Sequence, residues 1–311
     1  MTSVEAPANQ TVGDPRSAPS VGQDSRERLA PSIPNATRMW MLGFAVMASV
    51  CIWVIVYLIA LSPFFEARAQ VVRYGDFRQT LALQTAPIGG VIAPGTPVAL
   101  LSIPAIGVRD VVVSEGTSSS DLQYGPGHRR DTPLPGQIGT SVLFAKGATF
   151  GGPFKNLEKL RASDLITVTT GQGEFTYQIQ EVRKAGDPLP PALASGAGRL
   201  VLVSSSGDGA LGNYAPSGLI FVDAGLKSPA QQYPAHHPSM VPESELAFSS
   251  DSSAILNLCL SLPLLIAGLV VVVWMRQRWG GWQAWIVGLP IILAGAWLTA
   301  LTAAALLPNL Y

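Results

Sequence analysis

Three long apolar runs interrupt an otherwise mixed sequence. Residues 39–61, 254–275 and 284–307 are almost continuously hydrophobic and carry no charged side chain. Each run is long enough to cross a hydrocarbon core of about 30 Å at about 1.5 Å per helical residue. Pro263 and Pro290 fall inside the second and third runs, and membrane helices tolerate proline. The pattern therefore predicts three transmembrane helices.

Basic residues near these runs predict their orientation. Arg38 immediately precedes the first run, and Arg276 and Arg278 lie between the second and third. Short loops rich in Lys and Arg stay in the cytoplasm. We therefore expect a cytoplasmic N-terminus, with residues 62–253 and Tyr311 outside.

A cleaved signal peptide is the alternative explanation for the first run. Ala67-Arg-Ala69 would then be the cleavage site. The long apolar run and the long preceding segment favour an uncleaved anchor.

Between the first and second runs, the hydrophobic pattern changes to that of a β domain. Residues 93–226 contain short alternating or β-branched runs separated by Gly and Pro, which favours a small barrel or sandwich. Predicted strands cover residues 98–103, 110–114, 141–145, 165–170, 174–182, 200–204 and 219–223, and a short helix is predicted over 152–161.

The remaining segments connect this domain to the predicted membrane helices. Residues 1–38 lack apolar periodicity and are predicted to form a disordered cytoplasmic tail. Residues 62–92 are predicted to form a juxtamembrane helix or linker, and residues 227–253 a Pro-rich linker.

Composition excludes several classes of function. The formal net charge is zero and the pI is about 6.8, which argues against nucleic acid as a partner. Cys51 and Cys259 are the only two cysteines and lie in apolar runs, so the exterior domain has no disulfide and no thiolate nucleophile. His236 and His237 sit in the linker, apart from His128, so we expect no metal site and no cofactor.

Five segments of the β domain, taken in order, form a recognisable set. The segments are Val98-Ala-Leu-Leu-Ser-Ile-Pro-Ala-Ile-Gly107, Gly125-Pro-Gly-His-Arg-Arg-Asp-Thr-Pro-Leu-Pro-Gly136, Gly151-Gly-Pro-Phe154 with the following residues to Leu160, Asp164-Leu-Ile-Thr-Val-Thr-Thr170 with Phe175-Thr-Tyr177, and Arg199-Leu-Val-Leu-Val203. Together they resemble the sortase family, specifically its actinobacterial class E type. We therefore expect an all-β sortase-like closed barrel outside the membrane plus three transmembrane α-helices, in the envelope of a Gram-positive, actinobacterial cell.

The resemblance fails at the three positions that carry sortase chemistry. That chemistry uses a Cys nucleophile, a His acid and an Arg that stabilises charge. Ser205 stands at the Cys position, and Lys146, followed by Gly147, stands at the His position. The Arg position falls at Ser217 or Gly218. We expect no catalytic residue, with Ser205, Lys146 and Gly218 as vestigial positions.

Ser205 and Lys146 leave a serine mechanism open. The two should face each other in a sortase barrel, and Ser–Lys pairs are a known form of nucleophilic catalysis. An ordinary lysine is protonated at neutral pH, and nearby Asp208 would keep it charged. We favour a solvated loop lysine and a polar residue at a strand end.

Other polar residues are candidates for binding. His128 resembles a residue that belongs to the loop framework in the family. The alternative is that it is recruited as a catalytic base. With Asp131, residues Arg129, Arg130 and Arg199 are predicted to form a polar cluster near the groove. Surface salt bridges are the favoured explanation for this cluster, and recognition of a peptide or glycan is the alternative.

We interpret the chain as a membrane-anchored pseudo-sortase that binds or scaffolds. Its expected partners are the lipid bilayer and a cell-surface peptide or another envelope membrane protein. One alternative is an active serine-type transpeptidase or hydrolase using Ser205 with Lys146. Another is a structural spacer in a larger membrane complex.

Overall fold

The computed structural model describes residues 35–207, 216–232, 238–279 and 281–311. Its long helices are α1 (Asn35–Val56), α2 (Ser62–Ala82), α3 (Ala254–Trp279) and α4 (Gly281–Ala305). The strands are β1 (Pro97–Ile103), β2 (Val108–Glu115), β3 (Gly127–His128), β4 (Gly139–Phe144), β5 (Leu165–Thr170), β6 (Gly173–Lys184), β7 (Gly198–Ser206) and β8 (Gly218–Leu226).

A closed barrel in the order β1-β2-β3-β4-β7-β8-β6-β5 confirms the predicted fold class. The β2–β3 and β4–β7 pairs are parallel, and the other neighbouring pairs are antiparallel. Alternate residues of β6, namely Phe175, Tyr177 and Ile179, point into the core, as the period of two along a strand requires. The hydrophobic pattern does not predict β3, because two residues carry no readable alternation.

The short helix predicted over residues 152–161 is wrong. The chain forms turns there and a single 3₁₀ turn at Leu157–Lys159. Gly152 and Pro153 oppose helix nucleation, which is costly over so few residues. Phe154 and Leu160 are nevertheless buried in the barrel core.

Three helical segments of the described chain are long and apolar enough to cross a membrane, as predicted. The first runs without a break from α1 through a π-helical stretch, Tyr57–Leu61, into α2. Pro63 lacks the N–H that would continue the regular ladder, which explains the local widening. Arg276 and Arg278, which follow the second apolar run, lie in the last turn of α3 and so belong to the helix itself.

The helices α3 and α4 pack closely through small residues. A Cβ at Gly288 would lie 2.6 Å from Val272, and one at Gly295 would lie 3.1 Å from Leu265. Such close approach of backbones is how helices associate in lipid.

The membrane helices also contact the barrel, within the compact unit of residues 46–311. The Phe150 amide donates a hydrogen bond to Ser62 Oγ at 2.9 Å. Phe150 packs edge-on against Tyr57, which in turn contacts Trp297 of α4. The barrel loop that follows β4 is therefore held directly by the membrane helices.

Candidate functional site

Three neighbouring strands bring the vestigial positions together. Ser205 pairs with Leu219, and Ser206 pairs with Gly218, across β7 and β8. On the other side, Phe144 pairs with Val203 in the parallel β4–β7 ladder. Continuing that register by two residues places Lys146 opposite Ser205, so these positions adjoin, as the sequence predicted.

The pleat of β7 decides which serine faces which side. Leu200 and Leu202 belong to the core inside the barrel, and Ser204 follows on that face, where its hydroxyl donates to the Ala145 carbonyl at 2.9 Å. Val203 belongs to a second apolar cluster on the outer face, so Ser205 also faces outward. Both faces of β7 are buried.

Lys146 is buried, which contradicts the prediction of a solvated loop residue. Only 1% of its surface is exposed. Its ammonium group lies 5.5 Å from the centroid of the Phe150 ring. Burial lowers the pKa of Lys146 to about 7, because a desolvated site disfavours the charged form. The sequence could not show that the loop folds back under the membrane helices.

Ser205 does not donate to Lys146 in this structure. Its hydroxyl donates to the backbone carbonyl of Leu310 at 2.7 Å. The Gly147 amide donates to the same carbonyl at 3.2 Å. A side chain is excluded at Gly147, since its Cβ would lie 2.8 Å from Ser205 Oγ.

The missing arginine leaves space at its position. A Cβ at Gly218 would have no atom within 4 Å. A buried arginine lies instead on β6, where Arg183 Nε donates to Asp223 at 2.5 Å and the guanidinium stacks 4.4 Å from the Phe221 ring. Because it is paired with a buried carboxylate, Arg183 stabilises the outer face of the barrel. Sequence reasoning missed this residue.

His128 is locked into the barrel wall. It is 1% exposed, and its Nδ1 lies 2.8 Å from Glu115 Oε2. Its Nε2 lies 3.1 Å from both the Pro133 carbonyl and Thr132 Oγ1. Both ring nitrogens are engaged in these contacts. The framework role of His128 therefore has a structural basis, and neither nitrogen is free to act as a base.

The arginines predicted to cluster do not form one group. Arg129 pairs with its neighbour Asp131 at 2.8 Å, and Arg130 forms a bidentate pair with the buried Glu245. Arg199 donates to the Pro191 carbonyl at 2.8 Å. It precedes Ser205 by six strand residues, or about 20 Å at about 3.3 Å each, so it lies far along β7 from Ser205.

Two of the candidates drawn from the sequence have no described position. Asp208 and the pair His236-His237 lie outside the described residues. Among the residues that are described, no group of three or more His, Cys, Asp and Glu side chains could hold a metal ion.

Sequence reasoning also missed the residues that cover the site. Asn309 and Leu310 are fully buried, and Thr149 Oγ1 donates to the Tyr311 carbonyl at 2.6 Å. The only sequence signal was a polar Pro-Asn step after the third apolar run, which does not indicate where that step docks.

Comparison with known proteins agrees with the barrel. Residues 101–200 match the sortase domain family. Sortase D of Bacillus subtilis (strain 168) is 33% identical over 84 residues, which are 27% of this chain and 40% of that protein. The match thus spans well under two thirds of this relative.

Solved sortases are also similar. A Clostridium perfringens sortase D5 transpeptidase is 21% identical, with 52% of this chain and 99% of that chain covered at a TM-score of 0.42. Sortase E of Streptomyces avermitilis is 30% identical, with 44% and 91% covered at a TM-score of 0.37. The barrel thus carries a match to the sortase domain over residues 101–200, and the chain is similar to sortases of several bacteria.

Proposed function

We propose that this chain is a membrane-anchored sortase-family protein of the cell envelope that binds or scaffolds a peptide or protein and does not transfer acyl groups. The observation that carries the proposal is the hydrogen bonding of Ser205. Its hydroxyl and the Gly147 amide hold a peptide carbonyl, that of Leu310, without engaging a base. The position of the family's nucleophile therefore acts as a hydrogen-bond donor to a peptide.

The chemistry of the surrounding residues supports this proposal. No thiol lies in residues 62–253, because Cys51 and Cys259 are the only two in the chain. Glycine at position 218 provides no cation to stabilise an oxyanion. His128 is engaged at both nitrogens, so it does not replace the missing acid.

The proposed topology places the barrel and residues 308–311 on the outer side of the membrane. Arg38, Arg276 and Arg278 mark the cytoplasmic ends of the helices by the excess of basic residues there. The contact between Leu310 and Ser205 supports this arrangement, because the chain beyond α4 and the barrel must then share one side. A reporter fused after Tyr311 should be active only outside, and activity only in the cytoplasm would refute the topology.

A serine-type transpeptidase or hydrolase is the second candidate, and one observation favours it. A lysine whose pKa is about 7 is half neutral at that pH, and a neutral amine can accept the proton of an adjacent hydroxyl. Lys146 is opposite Ser205 in the extended register, so only a reorientation of the two side chains would be required.

A fluorophosphonate serine probe separates the two candidates. The full-length protein in nanodiscs is incubated at pH 8.5, where Lys146 is mostly neutral, and adducts are mapped by peptide mass spectrometry. We expect no adduct on Ser205. An adduct that disappears in both Ser205→Ala and Lys146→Met would overturn the binding proposal.

Two variants test whether the probe can reach Ser205 at all. Leu310→Asp weakens the cover over Ser205, and Leu189→Asp introduces the same change at a leucine that is 82% exposed. Absence of labelling in both variants as well as the wild type supports a binding role. Labelling of Ser205 in Leu310→Asp that requires Lys146 would establish a latent enzyme instead.

A further inference from the structure

Residues 308–311 form a tight turn that lies against the barrel. The Tyr311 amide donates to the Pro308 carbonyl at 3.1 Å, which closes the turn. Leu310 and Asn309 have no exposed surface. The turn is therefore a docked element with its own contacts, although it is joined to the end of a membrane helix.

The backbone of this turn is held by donors from the candidate site. The Leu310 carbonyl accepts from Ser205 Oγ at 2.7 Å and from the Gly147 amide at 3.2 Å. One residue on, the Tyr311 carbonyl accepts from Thr149 Oγ1 at 2.6 Å. Three donors from two barrel segments therefore converge on two successive carbonyls.

The Leu310 side chain fills an apolar pocket beside these donors. It belongs to the cluster formed by Phe144, Val203, Val201 and Leu122 on the outer face of β4 and β7. Full burial of a leucine is among the stronger apolar contacts available to a short segment.

The Asn309 side chain recognises backbone rather than other side chains. Its Nδ2 donates to the carbonyls of Thr117 at 2.7 Å and Leu246 at 2.9 Å. Its backbone amide donates to the Ser249 carbonyl at 2.9 Å. A carboxylate in place of this amide would lose both donated bonds, so the position favours asparagine over aspartate.

Resting on the proposed binding function, we propose that Ser205, Gly147 and Thr149 line a peptide-binding site that takes an Asn-Leu turn, and that residues 308–311 occupy this site in cis. A peptide of the same chemistry from another chain binds only by displacing them. Because α4 tethers the internal turn, its effective concentration is high, and an external peptide competes against that concentration.

The test measures how often the site opens. In a chain whose two native cysteines are replaced by alanine, Ser205→Cys introduces a single thiol beneath the turn. The rate of its reaction with a charged methanethiosulfonate reagent reports exposure of position 205 in the full-length protein. Leu310→Asp should raise this rate by at least about tenfold, since each 1.4 kcal/mol of lost closing energy is a factor of ten.

Two further variants keep the test decisive. Leu189→Asp is the matched control and should react at the rate of the parent protein. Thr149→Val removes only the bond to the Tyr311 carbonyl and should accelerate the reaction by about two- to tenfold, as expected for one hydrogen bond. Equal rates in the parent and Thr149→Val proteins would overturn the cis occupancy, even if Leu310→Asp fails to fold.

A further experiment, in which a free peptide is added, tests the specificity of the site. A synthetic peptide with the sequence of residues 307–311 should slow the labelling of the introduced thiol in the Leu310→Asp protein at millimolar concentration, the range of short tethers. The same peptide with Asp in place of its Asn should not protect. Lack of protection by the first peptide, or equal protection by both, would refute an Asn-Leu turn as the ligand. The readout here is the rate of thiol labelling. A negative result for the peptide site can therefore be told apart from detection of a fluorophosphonate adduct on Ser205, which would refute the proposed function.

Discussion

Two buried basic side chains of the barrel, His128 and Lys146, differ in their partners. Each has 1% of its surface exposed. The ring of His128 bonds to Glu115 on one side and to Pro133 on the other. The ammonium group of Lys146 faces the Phe150 ring, and no carboxylate among the described residues lies within ion-pair distance of it.

This difference separates a residue of the barrel framework, His128, from a residue of the candidate site, Lys146. A buried polar group with all its partners rigidifies a fold, whereas one without a partner is costly unless it becomes neutral. His128 belongs to the first class. Lys146 belongs to the second, and it stands where the resemblance to sortases places the acid. Lys146, buried without a carboxylate partner among the described residues, thus lies in the region where the chain differs from the sortase motifs.

The largest expected effect comes from breaking the His128 pair. Glu115→Ala leaves the imidazole without its buried partner and should lower the free energy of unfolding by about 3–5 kcal/mol. Thermal unfolding of the full-length protein in detergent measures the change. Glu181→Ala, an exposed glutamate on β6, should stay within about 0.5 kcal/mol. Equal losses in the two variants would remove the basis for calling His128 a framework residue.

Substitution of Lys146 should have an effect whose size depends on pH. In the folded state the pKa is about 7, below that of an unfolded lysine, so the unfolded chain binds more protons between about pH 7 and about pH 10.4. Wild-type stability should therefore rise with pH across that window, by up to about 1.4 kcal/mol per unit. Lys146→Met should remove the slope and be the more stable protein below pH 7.

The measurement is the difference in unfolding temperature between the two proteins from pH 6 to pH 10. Lys227→Met, at an exposed lysine, serves as the control and should parallel the wild type at every pH. A pH-independent difference between wild type and Lys146→Met would show that Lys146 stays charged in the folded protein and would undo the contrast with His128.

A smaller effect distinguishes the two faces of β7. Ser205→Ala removes one bond to Leu310 and should weaken the closure of residues 308–311 by about 1 kcal/mol. Hydrogen exchange at the Gly147 amide, which bonds to the same carbonyl, should accelerate accordingly. Ser204→Ala removes a comparable bond inside the barrel and should leave Gly147 exchange unchanged. Identical exchange in the two variants would contradict a separate opening of the turn.

The smallest effect is expected at Arg129. Its pair with Asp131 is partly exposed to solvent, so Arg129→Ala should cost no more than about 1 kcal/mol. Arg130→Ala should cost more, because it leaves the buried Glu245 carboxylate unpaired. Unfolding temperatures of the two variants test the order, and a reversed order would mean that the linker segment around Glu245 does not contribute to barrel stability.

Much of the fold is readable from local patterns. Strand β5 has the limits that the pattern predicts, because residues 166–170 are all β-branched and favour an extended backbone. The apolar runs predict the helices for a comparable reason, since length and continuity alone decide whether a helix can cross lipid. The two-residue strand β3 is not readable, because its pairing is imposed by β2 and β4.

The candidate site is only half readable. Ser205, Lys146 and Gly218 are located by their places in an ordered set of motifs, and the ladders of β4, β7 and β8 bring them together. The burial of Lys146 is predicted wrongly, because the Phe150 loop packs on helices distant in sequence. Arg199 lies away from Ser205 for a simpler reason: position along a strand sets distance, and the two residues are at opposite ends of β7.

By itself, the sequence determined that the chain has three membrane-length helices, a barrel with the motifs of a sortase, and no cysteine outside the predicted spans. Those properties depend on residue type, spacing and order, which are local. Only the tertiary structure decided that Lys146 is dry, that His128 is fully bonded, and that the Ser205 hydroxyl holds the Leu310 carbonyl. These properties depend on contacts between segments as much as 105 residues apart, and desolvation and hydrogen bonding act only between groups that folding has already brought together.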